Sequence, residues 1–232
     1  MKIEVFIPYR DRGRDPLRPA NLKRVLQHWS TFRAPVAITT DGLDGDSQFN
    51  RSESYNRAIQ SSGADVFVLT ESDMLIDFSQ IETAITWAVE SPGLVVPFTA
   101  RHEHNATNSE RIRAYQAEAK DCRAPVVKPK PRRTGAINVI SRDTYNAVGR
   151  YDSCFSGSWF DDRSMHIAFD ICAAPTRWVD GPGHHLYHLP GYTGSHLTPE
   201  DKAATEANRQ RFRQYQRART PERIRELTSG AN

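Results

Sequence analysis

The chain has 232 residues, of which 38% are hydrophobic and 25% charged, with a formal net charge of +3. That is enough chain for one large or two small domains with a sizeable core, and too little net charge to imply a general affinity for polyanions. No run approaches the roughly 18 apolar residues of a membrane span, the opening "MKIEVFIPYRDRGR" turns charged too early for a secretion signal, and Cys122, Cys154 and Cys172 form no CxxC pair or even disulfide set. A cytoplasmic protein with reduced thiols and no membrane span is expected.

"KIEVFIPYR" predicts a first strand that leaves its sheet at Pro8. "PLRPANLKRVLQHW" predicts a helix whose Leu22, Val25, Leu26 and Trp29 share one apolar stripe. A second strand, "PVAITTD", ends in Asp41 and a Gly/Asp-rich loop, and "FNRSESYNRAIQSSG" predicts a helix closed by Gly63. "DVFVLT", "FSQIETAITWAVESPG" and "LVVPFTA" then predict strand, helix and strand. Such alternation specifies an α/β fold with a mostly parallel central sheet flanked by helices.

After Ala100 the pattern changes. "RHEHNATNSERIRAYQAEAK" predicts a polar helix, and the basic loop 120–134 follows, with Lys120, Arg123, Lys128, Lys130, Arg132 and Arg133. "AINVIS" and "APTRWVD" predict strands and "RDTYNAVG" a short helix. A long charged helix is expected from Thr198 onward, with Thr198 as N-cap and Asp201 in the capping-box position.

Strand three ends in "ESD", where Glu71 and Asp73 share a strand parity and flank Ser72. Two carboxylates at such a tip suit a hard cation, Mn²⁺ or Mg²⁺, beside substrate phosphates. Tyr9 and Arg10 end the first strand and Asp41 the second, so three parallel strands deliver polar groups to the carboxyl edge where open sheets bind ligands. Arg10, Arg12 and Arg51 are candidates to offset a diphosphate, although neither GxGxxG nor GxxxxGK[ST] is present. "GPGHHLYHLPGYTGSH" offers His184, His185, His188 and His196 as further metal ligands, a donor type that favours Mn²⁺ over Mg²⁺. Asp161 and Asp162 open another predicted helix, where one carboxylate could act as a general base.

Four segments together resemble the GT-A-fold glycosyltransferases, near family 2 and the β-1,4-galactosyltransferase and polypeptide GalNAc-transferase type. "IPYRDR" resembles the nucleotide-facing P-[FY]-R-x-R strand end, "FNRSESYNRAI" the FNRAxxxNxG helix start, and "ESD" stands in place of DxD. "TGAINVISRDTYNAVGRYDSCFSGSWFDD" resembles the block that carries the donor-sugar and acceptor groups. The resemblance implies that Pro8, Tyr9, Arg10, Arg12, Phe49, Arg51 and Asn56 meet a UDP-sugar, with Glu71 on the ribose or the metal. Gly135 and Ala136 would leave room for the sugar, and Trp159 would stack on donor or acceptor. Asp73 and His188 would bind the metal, with His185 as the rival imidazole. Asp162, with Asp161 beside it, would be the base of an inverting transfer. It also implies one GT-A domain over 1–232: a nucleotide-binding half (1–100), a donor-sugar and acceptor half (101–198) and a C-terminal helix (199–228). The acceptor hydroxyl could belong to a glycan, a protein or a modified nucleic acid. This chain has Glu for the first acid of DxD, Ala for the second glycine of GG, and DD where the family has ED, which leaves the sugar open. Two other readings stand beside this one: nucleic-acid binding through residues 120–133, and a metal-dependent nucleotidyltransferase or hydrolase acting on a diphosphate.

Overall fold

The computed structural model describes residues 1–129, 134–191 and 193–230. Its main sheet has six strands in the order β2-β1-β3-β8-β5-β9, comprising β1 (Ile3–Pro8), β2 (Val36–Thr39), β3 (Val66–Thr70), β5 (Val95–Val96), β8 (Ile137–Ser141) and β9 (Arg177–Trp178). β1 pairs in parallel with β2 and β3, and β5 with β9, while β8 runs antiparallel between β3 and β5. Ile7, Phe67, Val68, Val95 and Val139 are almost wholly buried, as expected of strands covered on both faces. The helices are α1 (Leu17–Trp29), α2 (Arg51–Ser61), α3 (Phe78–Glu90), α4 (Ala106–Arg113), α5 (Arg142–Val148), α6 (Asp161–Cys172), α7 (Pro199–Arg217) and α8 (Pro221–Thr228).

The predicted α/β alternation with a mostly parallel sheet is what forms, and several local expectations change. Helix α2 ends at Ser61, with Ser62 already extended, so Gly63 is not its cap. The strand predicted over 94–100 splits, because only Val95–Val96 joins the main sheet and Ala100 opens another strand. The polar helix expected from Arg101 begins only at Ala106. The capping box at Thr198 and Asp201 forms, but Pro221 starts a separate helix where one long helix is expected.

A second, four-stranded sheet lies outside every expectation above, in the order β4-β10-β6-β7. Its strands are β4 (Met74–Ile76), β6 (Ala100–Glu103), β7 (Val126–Pro129) and β10 (Pro182–His185). Part of the basic stretch is therefore an edge strand paired antiparallel with β6, with Lys128 opposite Arg101 and bonded to Glu103. Lys130, Arg132 and Arg133 lie outside the described residues. The small sheet matters for function because β10 pairs antiparallel with β4 and places His185 opposite Met74. The Leu186 N–H also donates to the Asp73 carbonyl at 2.8 Å. The acidic tip of β3 is thereby brought to histidines far downstream.

Candidate active site

A cleft of about 730 Å³ opens at the carboxyl edge of β1 and β3. Pro8, Tyr9, Arg10, Arg12, Phe49, Arg51, Glu71, Ser72, Asp73, Gly135, Trp159, Asp162, His185 and His188 all line it. The structure thus brings together most of the residues singled out from sequence. Asp41, Asn56, Ala136 and Asp161 do not line it. Asp41 is buried behind the wall and accepts hydrogen bonds from Arg10 and from the Leu43 and Asn50 N–H groups. Asn56 ties α2 to the chain before α6 through the Tyr151 backbone and the Ser153 and Tyr145 hydroxyls.

At one end of the cleft, Asp73, His185 and His188 each offer a ligand atom, and these atoms lie within 4.8 Å of one another. Both rings turn Nε2 toward Asp73, at 3.7 Å for His185 and 3.2 Å for His188. Each ring is held from behind through Nδ1: His185 by Glu103 at 2.9 Å, and His188 by the Leu189 carbonyl at 2.7 Å. An outer partner of this kind fixes the tautomer that leaves Nε2 as a lone-pair donor. Burial pushes the His188 pKa down against the pull of Asp73, which favours the neutral imidazole a metal requires. Burial pushes Asp73 up, but His185, His188 and Arg18 outweigh it and hold its carboxyl below the ordinary range. Asp73 Oδ1 is buried without a hydrogen-bond partner, a costly state that a bound cation would relieve. A carboxylate and two oriented imidazoles fit a first-row dication such as Mn²⁺. His184 faces the other side of β10 and bonds to His104 at 3.1 Å, while His196 bonds to the Pro190 carbonyl. Neither belongs to the ligand group.

A second charged group is organised by Arg51, at the start of α2. Its guanidinium contacts Glu71, Asp161 and Asp162, with 2.6 Å to each of the two aspartates. Three carboxylates share one cation, so the last to ionise is displaced upward. Burial is the largest cause, and Asp161 and Glu71 add to it against Arg51, raising Asp162 to about 7. Asp161 turns inward and binds Arg51 twice through the same oxygen. Asp162 faces the cleft. Trp159 and Phe160, just before α6, both take left-handed backbone (φ 77° and 73°), a strain typical of functional turns. It sets the entry angle of the helix that carries Asp162.

Gly135 lines the cleft, and a Cβ there would fall inside the Asp162 carboxylate, so the missing side chain leaves room for this aspartate. Ala136 adopts φ 71°, and its carbonyl accepts the Glu71 N–H at 2.7 Å, tying the tip of β3 to the start of β8. The three arginines expected at a diphosphate are all engaged by carboxylates, Arg10 with Asp41, Arg12 with Asp46 and Asp201, and Arg51 as described. Sequence reasoning missed Glu103 and Arg18. The "RHEH" segment carried the only available signal for Glu103, since strand parity there would place it beside a histidine-bearing strand.

No protein-family model matches the sequence, and no match is found among curated proteins. Solved structures do match. The catalytic domain of a Drosophila β-1,4-galactosyltransferase 7 in complex with xylobiose aligns at 12% identity and a TM-score of 0.52, over 95% of this chain and 83% of its own. Glucosyl-3-phosphoglycerate synthase from Mycobacterium tuberculosis, in complex with Mn²⁺, UDP-glucose and glycerol 3-phosphate, aligns at 12% identity and a TM-score of 0.51, over 94% and 79%. A mutant of the same Drosophila enzyme, with manganese, UDP-Gal and xylobiose, gives 15% identity and a TM-score of 0.43, over 77% of this chain and 64% of its own, and adds nothing to the likeness. Among the described residues no helix is long and apolar enough to cross a membrane. The six-stranded sheet, its smaller companion and the cleft at its carboxyl edge are the GT-A fold, the architecture of the glycosyltransferases that this chain is similar to.

Proposed function

We propose that the protein is a metal-dependent glycosyltransferase that moves a sugar from a UDP-sugar to an acceptor hydroxyl. The observation that carries this reading is the Asp73, His185 and His188 group at one end of a cleft that Asp162 also lines. The solved likenesses that bind Mn²⁺ and UDP-glucose support the same donor and metal. Residues 1–100 would form most of the nucleotide side, residues 101–198 the sugar and acceptor side, and residues 199–228 a helical closure.

Asp73, His185 and His188 would hold Mn²⁺ or Mg²⁺, which supplies charge stabilisation for a departing diphosphate. Phe49 and Tyr9 give the nucleotide an apolar wall, and Trp159 presents a ring to a sugar. Asp162, poised near neutrality and exposed to the cleft, takes the proton of the acceptor hydroxyl. Arg51 and Asp161 keep that carboxylate in place. With one base and no protein nucleophile assigned, the anomeric configuration would invert.

The donor set alone suits other diphosphate chemistry. Hydrolases and nucleotidyltransferases are separated by product: UDP and a glycoside from transfer, UMP or pyrophosphate from the alternatives. A panel of UDP-sugars with Mn²⁺, assayed for UDP release with and without small hydroxyl acceptors, tests the reading. Release that EDTA abolishes and an acceptor stimulates supports it. Release of UMP with sugar 1-phosphate would replace it.

A further inference from the structure

We propose that Arg18, in the first turn of α1, is a cation that this chain offers to the donor's diphosphate. The inference rests on the nucleotide-sugar reading above and assigns a role that sequence gave to Arg10, Arg12 and Arg51. Those three are held by carboxylates at contacts of 3.1 Å or less. Arg18 differs on every count. It lines the cleft with a side chain 40% exposed, and its carboxylate neighbours, Asp15 and Asp73, both stand at 3.9 Å. Asp15 is itself engaged by the Leu17 and Leu189 N–H groups.

Its position in the helix is unusual, since the two carboxylates near it stand no closer than 3.9 Å. Arg18 stands in the first turn of a helix that has no acidic residue there, where the macrodipole disfavours a cation. A local rule broken at the edge of a cleft points to a ligand.

The contact with His188 links Arg18 to the metal group. His188 Nδ1 lies 2.7 Å from the Leu189 carbonyl and 3.3 Å from Arg18 Nη2. One ring nitrogen cannot serve both. The tautomer that leaves Nε2 free as a metal ligand puts the proton on Nδ1, which then donates to Leu189. In that tautomer Arg18 has no acceptor on the ring. The arginine is thus freed in the same tautomer that can hold a cation, where a diphosphate would bridge the two.

The test is calorimetric titration of wild type and R18Q with Mn²⁺ alone, and with UDP in the presence of saturating Mn²⁺. A cation 3.9 Å from Asp73 opposes metal binding, so R18Q should bind Mn²⁺ alone about two- to fivefold more tightly. The same variant should bind UDP about tenfold or more weakly, as expected for loss of a charge-assisted contact. R163Q, which removes the cleft arginine beside Asp162, should keep UDP affinity within about twofold. Opposite signs for the two titrations of R18Q support the role. Unchanged UDP affinity in R18Q, or weaker binding of Mn²⁺ alone, overturns it while leaving the nucleotide-sugar reading intact. A wild-type protein that binds no UDP with Mn²⁺ overturns both.

Discussion

The two charged groups of the cleft use similar residues to opposite ends. Around Asp73 the charges are loosely matched: the nearest guanidinium, of Arg18, stands at 3.9 Å, and two imidazoles turn their free nitrogens inward. Around Arg51 the matching is dense, with three carboxylates on one guanidinium. The first group is arranged to receive a cation from outside. The second already has its cation and uses it to hold a base. Burial acts on both, but a built-in counter-charge decides whether an acidic cluster becomes a ligand set or a positioned acid.

The sharpest way to break this contrast is Asp162→Asn. Turnover should fall about 10²-fold or more, while Mn²⁺ and UDP affinity, read by calorimetry, stay near wild type. Comparable turnover would remove Asp162 from the mechanism. The pH profile gives a second reading of the same group. Asp162 must lose its proton to act as base, so below about 7 the rate should fall as pH falls. Stability carries the opposite slope. The folded state keeps a proton that the unfolded chain releases near the ordinary aspartate value, so unfolding free energy should drop as pH rises toward 7. Asp162→Asn should flatten that slope in chemical denaturation.

On the other side of the contrast, Glu103→Gln leaves His185 without its carboxylate and should weaken Mn²⁺ about 10- to 100-fold, with no change in the pH profile assigned to Asp162. Gly135→Ala pushes on Asp162 without touching the metal group, and a misplaced base should cost about tenfold or more in turnover at constant Mn²⁺ affinity. The smallest effect is expected from Ala136→Gly. It relieves a left-handed alanine but frees the unfolded chain, two terms of about 1 kcal/mol or less each that oppose one another. Its melting temperature should therefore stay close to wild type.

The strand–helix alternation through Val96 was legible because its strands are apolar and its helices long and periodic, even where a strand is as short as Val36–Thr39. The second sheet was not, because "MLI", "ARHE", "VVKP" and "PGHH" are short, and three of them are polar or contain proline or glycine. Their pairing depends on partners distant in sequence. Residue types at the site were readable for the same reason that motifs work: a carboxylate at a strand tip and a histidine cluster need particular chemistry. The roles of the arginines were not readable. Arg12 meets Asp201 and Arg51 meets Asp161 only after folding, so a sequence cannot show which guanidinium is neutralised and which remains available. The neighbour of the glycine at 135 was not readable either, since only folding puts the Asp162 carboxylate in the space of its absent Cβ.

The claim that Asp73, His185 and His188 recruit a nucleotide through a divalent cation is tested most directly by titrating UDP into the wild-type protein with Mn²⁺ and again with EDTA, then repeating both with Asp73→Ala. UDP should bind wild type only when Mn²⁺ is present, and Asp73→Ala should lose that binding in either buffer. Equal UDP affinity with Mn²⁺ and with EDTA, or Mn²⁺-dependent binding that survives Asp73→Ala, would contradict it.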